Sequence, residues 1–119
     1  MKENEIEKIE RIAKMLVSSP KVFEEGEFTF RFVSADITEA LHVDAFGNDG
    51  SAKFWVKDEK YGLKNKPDSF WTNDSHLARN SGLKPEEINK VKKIIQNRKE
   101  EIVQQWEQAI QKSKRSGRQ

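Results

Sequence analysis

His42-Val-Asp-Ala-Phe-Gly-Asn-Asp-Gly-Ser-Ala-Lys-Phe-Trp55 alternates polar and apolar residues, breaks at Gly47-Asn48-Asp49-Gly50, and then alternates again. That is the pattern of a β-hairpin: period two on each arm, and a turn of residues that tolerate positive φ. The arms predict strands over Leu41–Phe46 and Ser51–Lys57. Leu41, Val43 and Ala45 share one face with Ala52, Phe54 and Val56, a small apolar surface suited to burial under a helix. His42, Asp44 and Phe46 share the other face with Lys53, Trp55 and Lys57.

The neighbouring segments extend this hairpin into a meander over residues 27–57. Phe28, Phe30 and Phe32 alternate with Thr29, Arg31 and Val33, which predicts a strand with one strongly aromatic, core-facing side. Ser34–Ala40 has no period and reads as a loop. Residues 3–17 carry Ile6, Ile9, Ala13, Leu16 and Val17 at helical spacing, with glutamates in the first turns, and Ser18-Ser19-Pro20 ends that run. Residues 58–75 are polar and turn-rich and read as an inserted surface excursion pinned by Tyr61, Leu63, Phe70 and Trp71, a short hairpin being the alternative. His76–Arg79 predicts a brief fourth strand, broken by Asn80-Ser81-Gly82.

Pro85, followed by Glu86 and Glu87, has the composition of a helix start. Ile88, Val91, Ile95, Ile102, Trp106 and Ala109 then recur at helical spacing, with a lapse around Asn97–Glu101. This predicts one long helix or a helix pair over 85–111, with 112–119 a flexible tail. The expected fold is therefore α+β, in one domain spanning 1–119. It has an N-terminal helix and a small antiparallel sheet of three to four strands, with a long or broken C-terminal helix packed on one face.

Composition narrows the chemistry. The 119 residues suit a single domain, and apolar and charged residues stand at 34% and 35%, so the core is modest and the surface heavily charged. Cysteine is absent, which removes disulfides, thiolate catalysis and Cys-based zinc sites, and favours a reducing compartment. No apolar run approaches the roughly 20 residues of a membrane span, and Met1–Lys8 lacks a signal-peptide core, so a cytoplasmic location is expected. The formal net charge of +2 is uneven, acidic over the first forty residues and basic from Lys84 onward. Glu86, Glu87, Glu100 and Glu101 interleave with those lysines, which fits a solvated helix face better than a nucleic-acid patch.

Two sets of side chains on the polar face of the hairpin carry the candidate chemistry. His42 and Asp44 lie two apart on one strand, so they point the same way, and with Lys53 they form the beginnings of an acid–base site. A metal or catalytic role needs a third partner, for which His76 is the candidate. The simpler reading, that His42 and Asp44 satisfy each other or a neighbouring backbone group on a half-exposed sheet, outweighs both roles. Lys53, Trp55, Lys57 and Arg31 together offer charge and stacking for a nucleic-acid strand, against a packing role for Trp55. Trp71 is an interface-anchor candidate in the long loop, His76 and Asn80 complete the set of binding candidates, Asn80 and Gly82 read first as turn geometry, and Trp106 reads as core. No phosphate-binding glycine loop, nucleophile elbow or paired-histidine zinc helix is present, and neither a metal nor a cofactor is expected.

The block His42–Val56, with its Ala52-Lys53-Phe54-Trp55 core, resembles a bacterial domain-of-unknown-function family, number 4160 in that series. The same order of motifs continues through Leu77-Ala78-Arg79-Asn80-Ser81-Gly82-Leu83, the helix from Pro85, and Trp106, covering roughly residues 28–110. Asp44 stands where the family typically has a second histidine. Asp36–Leu41 replaces its Asn-His-x-Pro-Pro approach. The resemblance implies a small component of compact bacterial gene cassettes, in a toxin–antitoxin-like or mobile-element setting beside another small protein. The resulting expectation is a cytoplasmic binding module for a small protein partner, with nucleic acid a further partner class and no membrane role. A small nuclease-like or other hydrolytic toxin using His42, Asp44 and Lys53 is one alternative, and a structural homodimer is the other.

Overall fold

The computed structural model describes residues 21–33 and 38–116. The helix expected over 3–17 lies outside them. Five strands form one antiparallel sheet in simple chain order: β1 Lys21–Glu25, β2 Phe28–Arg31, β3 His42–Phe46, β4 Ser51–Val56 and β5 Ser75–Ser81. Two helices follow, α1 Pro85–Asn97 and α2 Lys99–Ser116. The order is α+β as expected, with one strand more than the sequence pattern reveals.

The extra strand is β1, and its register explains why alternation misses it. Between Lys21 and Phe23 the pairing with β2 slips, so the consecutive residues Val22 and Phe23 are both buried. A bulge of this kind erases period two. At the other edge β5 is longer than expected. It runs through Asn80 and Ser81 and stops only at Gly82, whose φ of +98° suits glycine. Its pairing with β4 also carries an irregularity, at Lys53/Phe54, where Ala78 is the extra residue.

The hairpin register matches the sequence reading: Val43 faces Phe54, Ala45 faces Ala52, and His42 faces Trp55. The turn works differently from the expectation. Neither Gly47 nor Gly50 has positive φ; both are needed for space. A Cβ on Gly47 would lie 2.9 Å from the Phe28 ring, and one on Gly50 would lie 1.9 Å from the Ser81 carbonyl oxygen. The turn closes with Gly47 N–H donating to the Gly50 carbonyl at 2.8 Å and packs directly on the strands beside it.

One core joins sheet and helices. Phe28, Phe30, Phe32, Leu41, Val43, Ala45, Ala52, Phe54 and Val56 meet Ile88, Val91, Ile95, Ile102, Trp106 and Ala109. Burial of each large side chain contributes roughly 1.5–3 kcal/mol. The three phenylalanines of the second strand and Trp106 are core, as their spacing predicts. Trp106 is 1% exposed and takes the Phe32 ring edge-on at a centroid distance of 5.1 Å.

The lapse at Asn97–Glu101 is a break between helices. α1 begins with Pro85 in its first turn and with the Glu87 carboxylate accepting the Lys84 N–H at 2.9 Å. It ends at Arg98, whose guanidinium bonds Glu101 at 2.8 Å and Glu25 at 3.2 Å and lies over the Phe23 ring at 3.6 Å. α2 continues to Ser116, so Lys112–Ser116, expected as tail, is helical.

The 58–75 segment is a series of turns with a single 3-10 turn at Asp68–Phe70, and its hairpin character is limited to one bridge, Thr72 to Ser75. Its aromatics do pin it: Tyr61 packs on the core while its carbonyl accepts the Leu41 N–H at 2.8 Å, and Phe70 stacks on His76 at 3.8 Å.

Trp106→Ala is expected to lower stability by about 3–5 kcal/mol in urea unfolding, because the cavity opens against several rings at once. Gly50→Ala is expected to cost about 1–3 kcal/mol in the same measurement, since backbone rather than a flexible side chain must move.

Candidate functional site

Strand register assembles the polar face. Arg31 pairs with Asp44, Asp44 with Lys53, and Lys53 with Arg79, which makes one row across four strands. The adjacent row is His42, Trp55 and His76. Alternate residues of each strand share a face, so these rows project opposite the face that carries Val43, Ala45, Ala52 and Phe54, although His42 still meets Trp106 of α2. Arg31, His42, Asp44, Lys53, Trp55 and His76 are thus brought together by pairing alone.

The half-exposed setting expected for His42 and Asp44 is not what the fold provides. His42 is fully buried and the Asp44 side chain is 6% exposed. The His42 ring meets Trp55 edge-on at 5.6 Å and Trp106 at 5.2 Å. Its Nδ1 lies 2.9 Å from the Ala40 carbonyl, a geometry in which Nδ1–H donates, and 3.7 Å from a Glu39 carboxylate oxygen. A neighbouring backbone group thus takes up the His42 Nδ1 position.

Lys53 Nζ donates to Glu39 Oε2 at 2.7 Å and sits 4.7 Å above the Trp55 ring. Its side chain is 11% exposed. The hydrogen bond from Lys53 holds the Glu39 carboxyl below its ordinary value, partly opposed by burial and helped by the charges of Lys53, His42 and Arg79. Arg79 Nη2 lies 3.8 Å from Asp44 Oδ2. Glu39 therefore offsets Lys53, and Asp44 is set against Arg79. Acid–base or nucleophilic work needs one of these groups to be open to substrate. Instead, His42, Asp44 and Lys53 are enclosed and already engaged with protein groups.

The other candidates have partners of their own. Lys57 lies 4.0 Å from Asp68, and His76 Nδ1 lies 3.0 Å from the Phe70 carbonyl. Trp71 meets Phe70 edge-on at 4.9 Å in the excursion, away from the hairpin rows. Asn80 has a turn role: its Oδ1 accepts the Leu83 N–H at 3.0 Å and its amide donates to the Leu83 carbonyl at 2.9 Å. Among the described residues no group of three or more His, Asp or Glu side chains is arranged to hold a metal ion. No described helix is long and apolar enough to cross a membrane.

Sequence reading missed Glu39 and Arg79. Glu39 sits in an aperiodic loop, where nothing in the pattern marks it. Arg79 had a signal: once β5 is continued antiparallel to β4, its parity places it on the polar face.

Fold and site together define a small α+β domain with one apolar sheet face under helices and one polar face of mutually compensated charges. Residues 28–107 match the family model described as Domain of unknown function (DUF4160), and the chain belongs to that family. The match begins at the first residue of β2 and ends one residue past Trp106, so β1 lies outside it. No curated protein and no solved structure matches the chain.

Glu39→Gln is expected to destabilise the fold by less than about 1 kcal/mol at neutral pH, because the carboxylate is partly solvated. A depressed carboxyl stabilises the fold above its unfolded value, near 4.5, and loses that effect as pH falls through the folded value. The stability difference between the native chain and Glu39→Gln should therefore be present at pH 7 and vanish in denaturant titrations run well below that unfolded value.

Proposed function

We propose that this chain is a non-enzymatic binding module that acts by contacting a small protein partner. The carrying observation is the state of the would-be catalytic set: His42, Asp44 and Lys53 are enclosed, and Lys53 is hydrogen-bonded to Glu39. A hydrolytic toxin would need at least one of them exposed to substrate. The polar groups that do reach solvent, Arg79 and Lys57, suit contact with another macromolecule. The family resemblance supports a cytoplasmic bacterial setting of the toxin–antitoxin or mobile-element kind, in which a neighbouring gene supplies the partner.

Co-expression of the full chain with the product of the adjacent open reading frame tests this. The expected result is a complex that survives size-exclusion chromatography. The separately purified chain should leave RNA and a chromogenic phosphodiester intact. Growth arrest on expression that Lys53→Ala relieves, with the melting temperature unchanged, would overturn the binding reading in favour of the hydrolytic one.

A further inference from the structure

The sheet has two edges, β1 and β5, and among the described residues they differ in what meets them. At β1, Gln105 Nε2 donates to the Val22 carbonyl at 2.7 Å, and Arg98 lies over Phe23. At β5, Ser75 exchanges both backbone hydrogen bonds with Thr72. From His76 to Ser81 no backbone group bonds on the side away from β4 among the described residues. Such an edge presents N–H and C=O groups ready for another strand.

The two sides of this edge differ in chemistry. On the helix side, Leu77, Asn80, Leu83, Pro85, Ile88 and Asn89 line a shallow hollow of about 300 Å³. On the polar side, Arg79 extends from β5 with its side chain 70% exposed. Residues 75–84 include Arg79 and Lys84 and no carboxylate of their own; Arg79 lies 3.8 Å from the buried Asp44 and Lys84 lies 3.8 Å from Asp49, yet both cationic side chains stay largely exposed. An added strand turns successive side chains alternately toward the hollow and toward the arginine.

We infer that the β5 edge takes an extended segment of a partner protein, alternating apolar and acidic residues, as a sixth strand. This rests on the binding-module reading and says where the partner sits. Main-chain hydrogen bonds along His76–Ser81 supply the affinity. Apolar side chains enter the Leu77–Ile88 hollow, and carboxylates meet Arg79. A second copy of this chain fits less well. A continuous antiparallel sheet built from two copies has its two-fold axis perpendicular to the sheet. Centring the pair on the open run then sets Arg79 opposite its counterpart, or within a residue or two of it, on one face.

The test is a titration of the 15N-labelled full chain with a capped octapeptide alternating valine and glutamate, and with its valine–lysine counterpart. Amide shifts are expected along His76–Ser81 with the glutamate peptide, and binding about tenfold weaker or more with the lysine peptide. Arg79→Gln, checked for native melting and spectral dispersion, should erase most of that preference. Three outcomes overturn the inference. They are a glutamate peptide that leaves β5 unshifted at millimolar concentration, equal binding of both peptides, and shifts that map to α1 or to residues 58–74. A dimer by light scattering with β5 amides protected also overturns it, in favour of self-pairing. None of these touches the binding-module reading, which falls only on the hydrolysis and growth results above.

Discussion

The register of the β3–β4 hairpin is the constraint on which the rest depends. With His42 opposite Trp55 and Val43 opposite Phe54, Val43, Ala45, Ala52, Phe54 and Val56 share the apolar face, while Asp44 and Lys53 share the other with His42, Phe46 and Trp55. A slip of one residue would put Asp44 and Lys53 into the core and Phe54 into the polar row. Two contacts of the turn hold this register. Gly47 lies under the Phe28 ring and Gly50 under the Ser81 carbonyl, so β2 and β5 both bear on the turn that joins β3 to β4. A side chain at either glycine would force the flanking strands apart, which couples the local turn to the whole sheet.

From that register the character of the polar face follows. The rows bring opposite charges within reach of one another: Lys53 to Glu39, and Arg79 to Asp44. Pairing of this sort adds little net stability. It does anchor the 38–40 turn to β4 through Glu39, and it leaves His42 held between two indoles and a carbonyl. His42 and Asp44, two apart on one strand, are thus both buried in the fold, and Lys53 beside them is hydrogen-bonded to Glu39.

The parts readable from sequence are those where one face of a regular element is buried. The hairpin, the phenylalanine strand and the stripe from Ile88 to Ala109 all show their period because burial selects every second or every third to fourth residue. β1 hides because its bulge buries Val22 and Phe23 in succession, and β5 is understated because its outer half is exposed and polar. The burial of His42 was out of reach, since it depends on Trp106, sixty-four positions away in the chain. Short ordered motifs identify a lineage, whereas enclosure of a side chain is a property of the packed chain.

The two edges of the sheet show where such a small domain has spent its protection. The edge at β1 is tied to α2 by a side-chain amide on Val22, with a guanidinium at the helix break over Phe23 and on Glu25. The edge at β5 has only a local register irregularity and one arginine to discourage unwanted pairing. An irregularity at Ala78 interrupts a long, flat template without removing the unbonded groups on either side of it. A hollow beside that edge adds side-chain discrimination to what the backbone offers. Leaving an edge open raises the risk of aggregation, and nothing in the internal packing of this core requires it. On the proposed reading the edge serves contact with another chain, and Arg79, exposed although set against Asp44, is the group that reads that chain's charge.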